Sequence, residues 1–218
     1  MQVVWFKRDI RTHDNEALCE ASKLGPILPI YIFEPELWNQ ADLSHRHYMF
    51  LRESLVELDV ELQRLGQKLI FRTGDAIKIF NGIHENHQIK GLWSHQETWN
   101  NWTYKRDQKI KKWTFDNSIK WFQPTQNGVV RGQKNRNSWS KSWYSKMKEP
   151  IYDAPVKLQK LSHNCDGIPS AKDLGIEDKK NSAIQKGGRS EALKILSSFL
   201  SHRGHHYTKK MSSPVTAF

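Results

Sequence analysis

The sequence predicts an α/β fold, a Rossmann-like five-stranded parallel sheet flanked by helices, with a C-terminal linker and helix after it. Three observations predict it. Short apolar runs rich in β-branched and aromatic residues recur through the first 122 residues. Segments with apolar residues three and four apart lie between them. Strands alternating with helices at this spacing build βαβ units, whose strands run parallel and whose crossovers are right-handed.

Val3-Val4-Trp5-Phe6 reads as a buried first strand, and Asp14 as the N-cap of a short helix carrying Ala17 and Leu18. Gly25-Pro26 breaks the chain before a second strand, Ile27–Phe33. That strand is apolar on both faces, as a buried parallel strand should be, although Pro29 removes one backbone donor. Ser44–Leu65 is helical, with Phe50, Leu51, Leu55, Leu58, Leu62 and Leu65 on the core side and Gly66 as the stop. Lys68–Arg72 is a third strand, and Gly74-Asp75 opens a helix with Ile77, Ile79, Phe80 and Ile83. Ile89–Trp93 is a fourth strand, residues 101–118 a helix with a basic face, and Ile119–Phe122 a fifth strand. Residues 139–148 form a short aromatic-basic helix. Residues 153–186 read as a linker that wraps over the first domain, and 191–200 as an amphipathic helix.

Composition narrows the function classes. The 218 residues carry a net charge of +11, with 34 basic and 23 acidic residues. Residues 1–130 are nearly balanced, with 17 basic and 16 acidic, whereas 131–218 hold 17 basic and 7 acidic. A basic extension of this kind meets a polyanion or is simply solvated. No run approaches the roughly 18 apolar residues of a membrane span, and the N-terminus lacks a signal-peptide layout. With Cys19 and Cys165 as the two cysteines, a cytoplasmic protein with reduced thiols is expected.

In open parallel sheets, ligands sit outside the carboxyl ends of the strands, where strand order reverses. The segments to watch are therefore Lys7–Asp14, Glu34–Arg46, Arg72–Asp75 and Ser94–Tyr104. The first holds Lys7, Arg8 and Arg11 beside Asp9 and Asp14. It either grips an anionic ligand or has Asp9 paired with Arg8 or Arg11 to fix the loop. The last interleaves Trp99 and Trp102 with amides and Glu97, which suits a flat conjugated ligand or a packed helix start. No Gly-x-Gly-x-x-Gly or Walker loop is present, so ordinary dinucleotide and nucleoside-triphosphate chemistry is disfavoured. His202, His205 and His206 cluster without a Cys or carboxylate partner, which reads as surface histidine rather than a metal site. No Gly-x-Ser-x-Gly elbow or Cys-His nucleophile appears.

Val4-Trp5-Phe6-Lys7-Arg8-Asp9-Ile10-Arg11-Thr12-His13-Asp14-Asn15 resembles the opening of the cryptochrome/photolyase family. Arg46 through Leu58, Glu97-Thr98 with Trp102-Thr103-Tyr104-Lys105-Arg106-Asp107, and Gln126 through Arg131 resemble its next landmarks. Gly187-Gly188-Arg189 through Met211-Ser212-Ser213-Pro214 resembles the start of that family's helical flavin domain. The resemblance implies an α/β antenna domain over 1–130, a basic extension and linker over 131–186, and the first part of an FAD-binding domain over 187–218. It implies an antenna chromophore (a folate, a deazaflavin or a flavin-like ring) against the loops after strands one, two and four. It nominates Arg8, Asp9, Arg11, Arg46, Glu97 and Trp102 as its contacts, and Tyr207 near the flavin-contacting sequence. Asn101 stands where the family often has an acidic residue. FAD and damaged DNA belong, on the resemblance, to the full-length parent, a deoxyribodipyrimidine photolyase or carbon–carbon lyase. Repair is not expected of these residues alone, and no catalytic residue or metal is. The rival expectations are a photosensory cryptochrome fragment and a stand-alone nucleic-acid-binding module, whose binding would weaken steeply with salt.

Overall fold

The protein is described by a computed structural model covering residues 1–132, 135–177 and 185–210. Five strands, β1 (Gln2–Phe6), β2 (Ile27–Phe33), β3 (Ile70–Thr73), β4 (Gly91–Trp93) and β5 (Lys120–Phe122), form one sheet in the order β3-β2-β1-β4-β5. Every pairing is parallel, with Gln2 opposite Ile27 and Gly91, Ile30 opposite Ile70, and Gly91 opposite Lys120. Strand order reverses at β1 and β4, and the loops leaving those two strands define the site.

Alternation along the strands builds a core on each face. Val4, Phe6 and Phe33 pack with Leu18 of α1 (Glu16–Ser22) and with Leu55, Leu58 and Leu62 of α3 (His45–Arg64). Val3, Trp5 and Ile30 pack with Phe80 and Ile83 of α4 (Ala76–His87) and with Ile110 and Trp113 of α5 (Asn101–Asp116). Pro29 is tolerated inside the sheet because it lies one residue ahead of the β2–β3 ladder, which starts at Ile30. A one-turn helix absent from the sequence reading, α2 (Pro35–Trp38), follows β2 directly with Pro35 in its first turn.

Two local expectations are corrected. Asn15, not Asp14, caps α1: its Oδ1 accepts from the Leu18 amide at 2.9 Å. Asp14 sits at φ 51°, outside the extended backbone that a cap needs. Phe50, expected in the core, is 43% exposed, because the side of α3 it occupies faces a cleft and not the sheet. Asp75 caps α4 as read, accepting from the Lys78 amide at 2.9 Å.

Beyond α6 (Trp139–Met147), the chain runs back over the α/β body. The Asp14 amide donates to the Tyr152 carbonyl at 2.7 Å, and the Leu158 amide to the Leu65 carbonyl at 2.6 Å. Leu158 and Leu174 are buried. Gly66 has φ +102°, and a Cβ there would lie 2.9 Å from the Leu158 carbonyl, so the turn that receives the strap needs glycine. Residues 165–166 cover the outer edge of β3, with the Asp166 amide donating to the Phe71 carbonyl at 3.1 Å and Arg72 held to Asp166 at 2.7 Å. The free strand edge is thereby closed.

Helix α7 (Arg189–Ser201) is tied to α3 at its start. The amides of Gly187, Gly188 and Ser190 donate to Glu53 (2.7 Å), Ser54 (2.9 Å) and Glu57 (2.7 Å). Short α8 (Tyr207–Lys210) follows. The Met211–Pro214 landmark lies outside the described residues.

Candidate functional site

The site grows from the carboxyl end of β1. Lys7 and Asp9 are both buried there. Asp9 accepts from the Lys7 amide at 3.0 Å, from Asn15 Nδ2 at 3.2 Å and from His95 Nδ1 at 2.7 Å. Burial pushes the Asp9 carboxyl up, but the His95 contact and the backbone donors outweigh it and hold it at about 2. An ionised carboxylate only accepts, so His95 carries its proton on Nδ1. Asp9 pairs with neither Arg8 nor Arg11, contrary to the simplest sequence reading. Arg11 donates instead to the Asp14 carbonyl at 2.8 Å, and the Arg8 guanidinium stacks 3.9 Å from the Trp99 ring centre.

One turn into α5, Arg106 meets three buried carboxylates. It donates to Glu34 at 2.8 Å, Glu97 at 2.5 Å and Asp107 at 2.8 Å. Lys7 Nζ lies 3.5 Å from Asp107, and Arg131 donates to Asp107 at 3.0 Å and to the Glu97 carbonyl. Arg106 also faces Trp5, 4.7 Å from its ring centre, and Trp102, 5.7 Å away. The loops after β1, β2 and β4 and the start of α5 are thus bolted together by charge. Burial pushes the Glu34 carboxyl up to about 7 against the pull of Arg106, and pushes the Lys7 ammonium down. Asp107 is held below the usual carboxylate range: burial opposes ionisation there, but Lys7 and Arg106 prevail.

Two adjoining clefts open above this cluster. A polar one of about 410 Å³ is lined by Lys7, Arg8, Asp9, Arg11, His95, Glu97 and Trp99, among others. A more apolar one of about 510 Å³ runs over Arg106 and Glu34. Leu37, Trp38, Leu43, Phe50 and Leu51 wall it, and Gly188, Arg189 and Ala192 of the α7 start roof it. A cleft of this size accepts one fused-ring ligand.

Of the residues singled out from the sequence, Arg8, Asp9, Arg11 and Glu97 come together at these clefts. Arg46 is exposed on α3 and lines neither. Trp102 is half-buried behind Arg106, and Tyr207 is exposed, edge-on to Phe199 at 5.6 Å. Lys7, Glu34, His95 and Trp99 fall in the segments singled out after the strand ends, and all four border these clefts. Arg106 and Asp107 lie beyond those segments and figured only inside a family-like motif, although a buried Arg-Asp pair one turn into α5 is unusual.

A parallel sheet with a charged, aromatic-walled cleft at its switch point defines a class of ligand-holding α/β domains. More narrowly, the chain matches the DNA photolyase family over residues 2–148 and belongs to it. It is 25% identical over 231 residues to the (6-4)DNA photolyase of Arabidopsis thaliana, covering 92% of this chain and 41% of that protein. It is 30% identical over 119 residues to Cryptochrome-1 of Anopheles gambiae, covering 50% of this chain and 22% of that one. The fold superimposes on a Synechocystis cryptochrome with TM-score 0.75 at 20% identity, over 96% of this chain and 48% of the other. An archaeal photolyase from Sulfolobus tokodaii, solved with two FAD molecules and discussed in terms of a novel light-harvesting cofactor, gives 0.67 at 24%, over 90% and 46%. The chain thus spans less than half the length of each of these relatives.

Proposed function

We propose that residues 1–130 form the antenna domain of a photolyase-like DNA-repair flavoprotein, and that the cleft over Arg106 holds a conjugated chromophore. Residues 131–186 are then its basic extension. Residues 187–218, with Tyr207, begin the helical FAD-binding domain that acts on damaged DNA in a longer protein.

The observation that carries this reading is the pairing of chemistries in one cleft. Leu37, Trp38, Phe50 and Leu51 offer a slot for a flat ring, while Arg106 keeps one Nη1 N–H beyond its carboxylate bonds beside the acceptor oxygens of Glu34 and Glu97. A folate-, deazaflavin- or flavin-like ring edge alternates donors and acceptors in the same way, so the residues fit such a group. The polar cleft beside it, with Arg8 and Arg11, suits an anionic tail. The pigment, when bound, supplies light absorption and excitation transfer. The protein's part is to hold the ring still and exclude water. Arg106 is fixed by three carboxylates and Trp99 by Arg8, so little ordering remains to be done on binding. No side chain has to act as acid, base or nucleophile. The S. tokodaii photolyase with two FAD molecules lends support from a relative.

The test is the absorption spectrum of the purified chain, with mass analysis of whatever denaturation releases. A near-ultraviolet or blue band from a released folate, deazaflavin or flavin is the expected result. A released pigment lacking a fused conjugated ring would contradict it.

A further inference from the structure

A separate cleft of about 640 Å³ lies between the outer side of α4 and residues 162–164, and shares no residue with the clefts above Arg106. Its lining holds Arg72, Lys78, His87 and His163, the neutral donors Ser162, Asn86 and Asn164, and no carboxylate. We propose that it binds a small phosphate-bearing ligand between Arg72, Lys78, His87 and His163.

The His87 and His163 rings stand 4.3 Å apart, edge to face at 69°. Two imidazoles this close can both donate N–H groups to one shared anion. Burial first, and then the neighbouring His87 and Arg72, hold the His163 ring below the usual imidazole range. Arg72 is fixed by Asp166 through one Nη at 2.7 Å, which leaves N–H donors of its fork free to serve a ligand. Lys78 enters no ion pair among the described residues, while its helix end is capped by Asp75. The neighbouring titratable groups are occupied. Glu85 accepts from Asn81 at 2.7 Å, the His84 ring accepts from the Ile89 amide at 3.2 Å, and Asp166 holds Arg72. Ile79 and Ile83 give the cleft an apolar floor, and its volume exceeds that of a bare phosphate, so a nucleoside diphosphate has room.

A divalent metal would also seek paired imidazoles. Among the described residues no third His, Cys, Asp or Glu completes such a set, and Arg72 and Lys78 repel a cation. The charge of the lining therefore favours an anion.

The experiment follows the imidazole NMR signals of the full chain during titration with inorganic pyrophosphate and, separately, adenosine diphosphate, at pH 6 and pH 8. Both histidines should shift, the His163 pKa should rise on binding, and affinity should be about tenfold tighter at pH 6. Lys78→Gln and His163→Gln should each weaken binding about tenfold with the remaining spectrum unchanged. Binding of both ligands assigns the site to the phosphate group, and binding of the nucleotide alone adds its base; either supports the proposal. Absence of shifts with both ligands up to ~10 mM overturns it. Undiminished binding in both variants, or zinc ions binding the pair more tightly than either phosphate compound, does so too.

Discussion

Arg106 is 7% exposed and pairs with three carboxylates from three different segments. Removing one member of a buried ion cluster costs far more than the cluster contributes, because the partners are left charged and dry. Arg106→Ala should therefore lower unfolding free energy by about 3–5 kcal/mol, measured by urea denaturation. Glu34 has the opposite character. Its pKa is about 7 in the folded chain against an ordinary 4.5, so the folded state binds more protons in between. That stability is fully present below pH 4.5 and is lost as pH rises through 7. Glu34→Gln mimics the protonated form. Its melting temperature should match the parent's at low pH and rise relative to it as pH climbs to 8. A difference that stays flat with pH would refute this. Asp9 runs the other way: its stabilisation is present above pH 3.8 and disappears as pH falls through 2. The sequence pointed to Arg8, Asp9, Arg11 and Glu97 because charges past a strand end are visible in the text. It concealed the partners, because which carboxylate reaches Arg106 depends on loops 72 residues apart.

Among elements, the strands and long helices were legible because their apolar period is set by the sheet they pack on. β2 matched its expected bounds, and Pro29 did not break it because its neighbour strand starts one residue later. Helix ends and the single turn of α2 were less legible. The start of α1 rests on a single hydrogen bond from the Leu18 amide to the Asn15 side chain, an acceptor that neighbouring Asp14 could equally have supplied by type, and α2 has no capping side chain. The start of α7 was not legible at all as an anchored element. Its amides are received by Glu53, Ser54 and Glu57, more than 130 residues earlier. A Cβ on Gly187 would collide with the Phe50 carbonyl, backbone that cannot yield cheaply. Gly187→Ala should therefore release α7 from α3. Amide exchange over 187–201 should accelerate by about tenfold or more, while strands β1 to β5 keep their protection. Unchanged exchange in α7 would show that the anchor is not what holds it.

For the whole molecule, the sheet, its switch point and the strap of residues 152–176 converge on one purpose, a rigid floor beneath a cleft. The strap closes the edge of β3 through Asp166 and buries Leu158 and Leu174, while α7 roofs the cleft from the other side. The location of the cleft followed from strand alternation alone, since ligands gather where a parallel sheet changes direction. Its apolar wall did not, because Phe50 reads as a core residue until α3 is placed with that side turned outward, while Leu51 packs on the core and borders the cleft as well. The most direct test of the chromophore reading is quenching of tryptophan emission as a flavin or a folate is added to the purified, pigment-free chain. Trp5, Trp38 and Trp99 border the cleft, so a bound pigment should drain their emission. The account predicts saturable one-to-one quenching by at least one of the two. It also predicts binding about tenfold weaker in Trp99→Ala, which removes the ring that Arg8 stacks on. Quenching that never saturates with either pigment, or that is the same with and without the Trp99 ring, would contradict it.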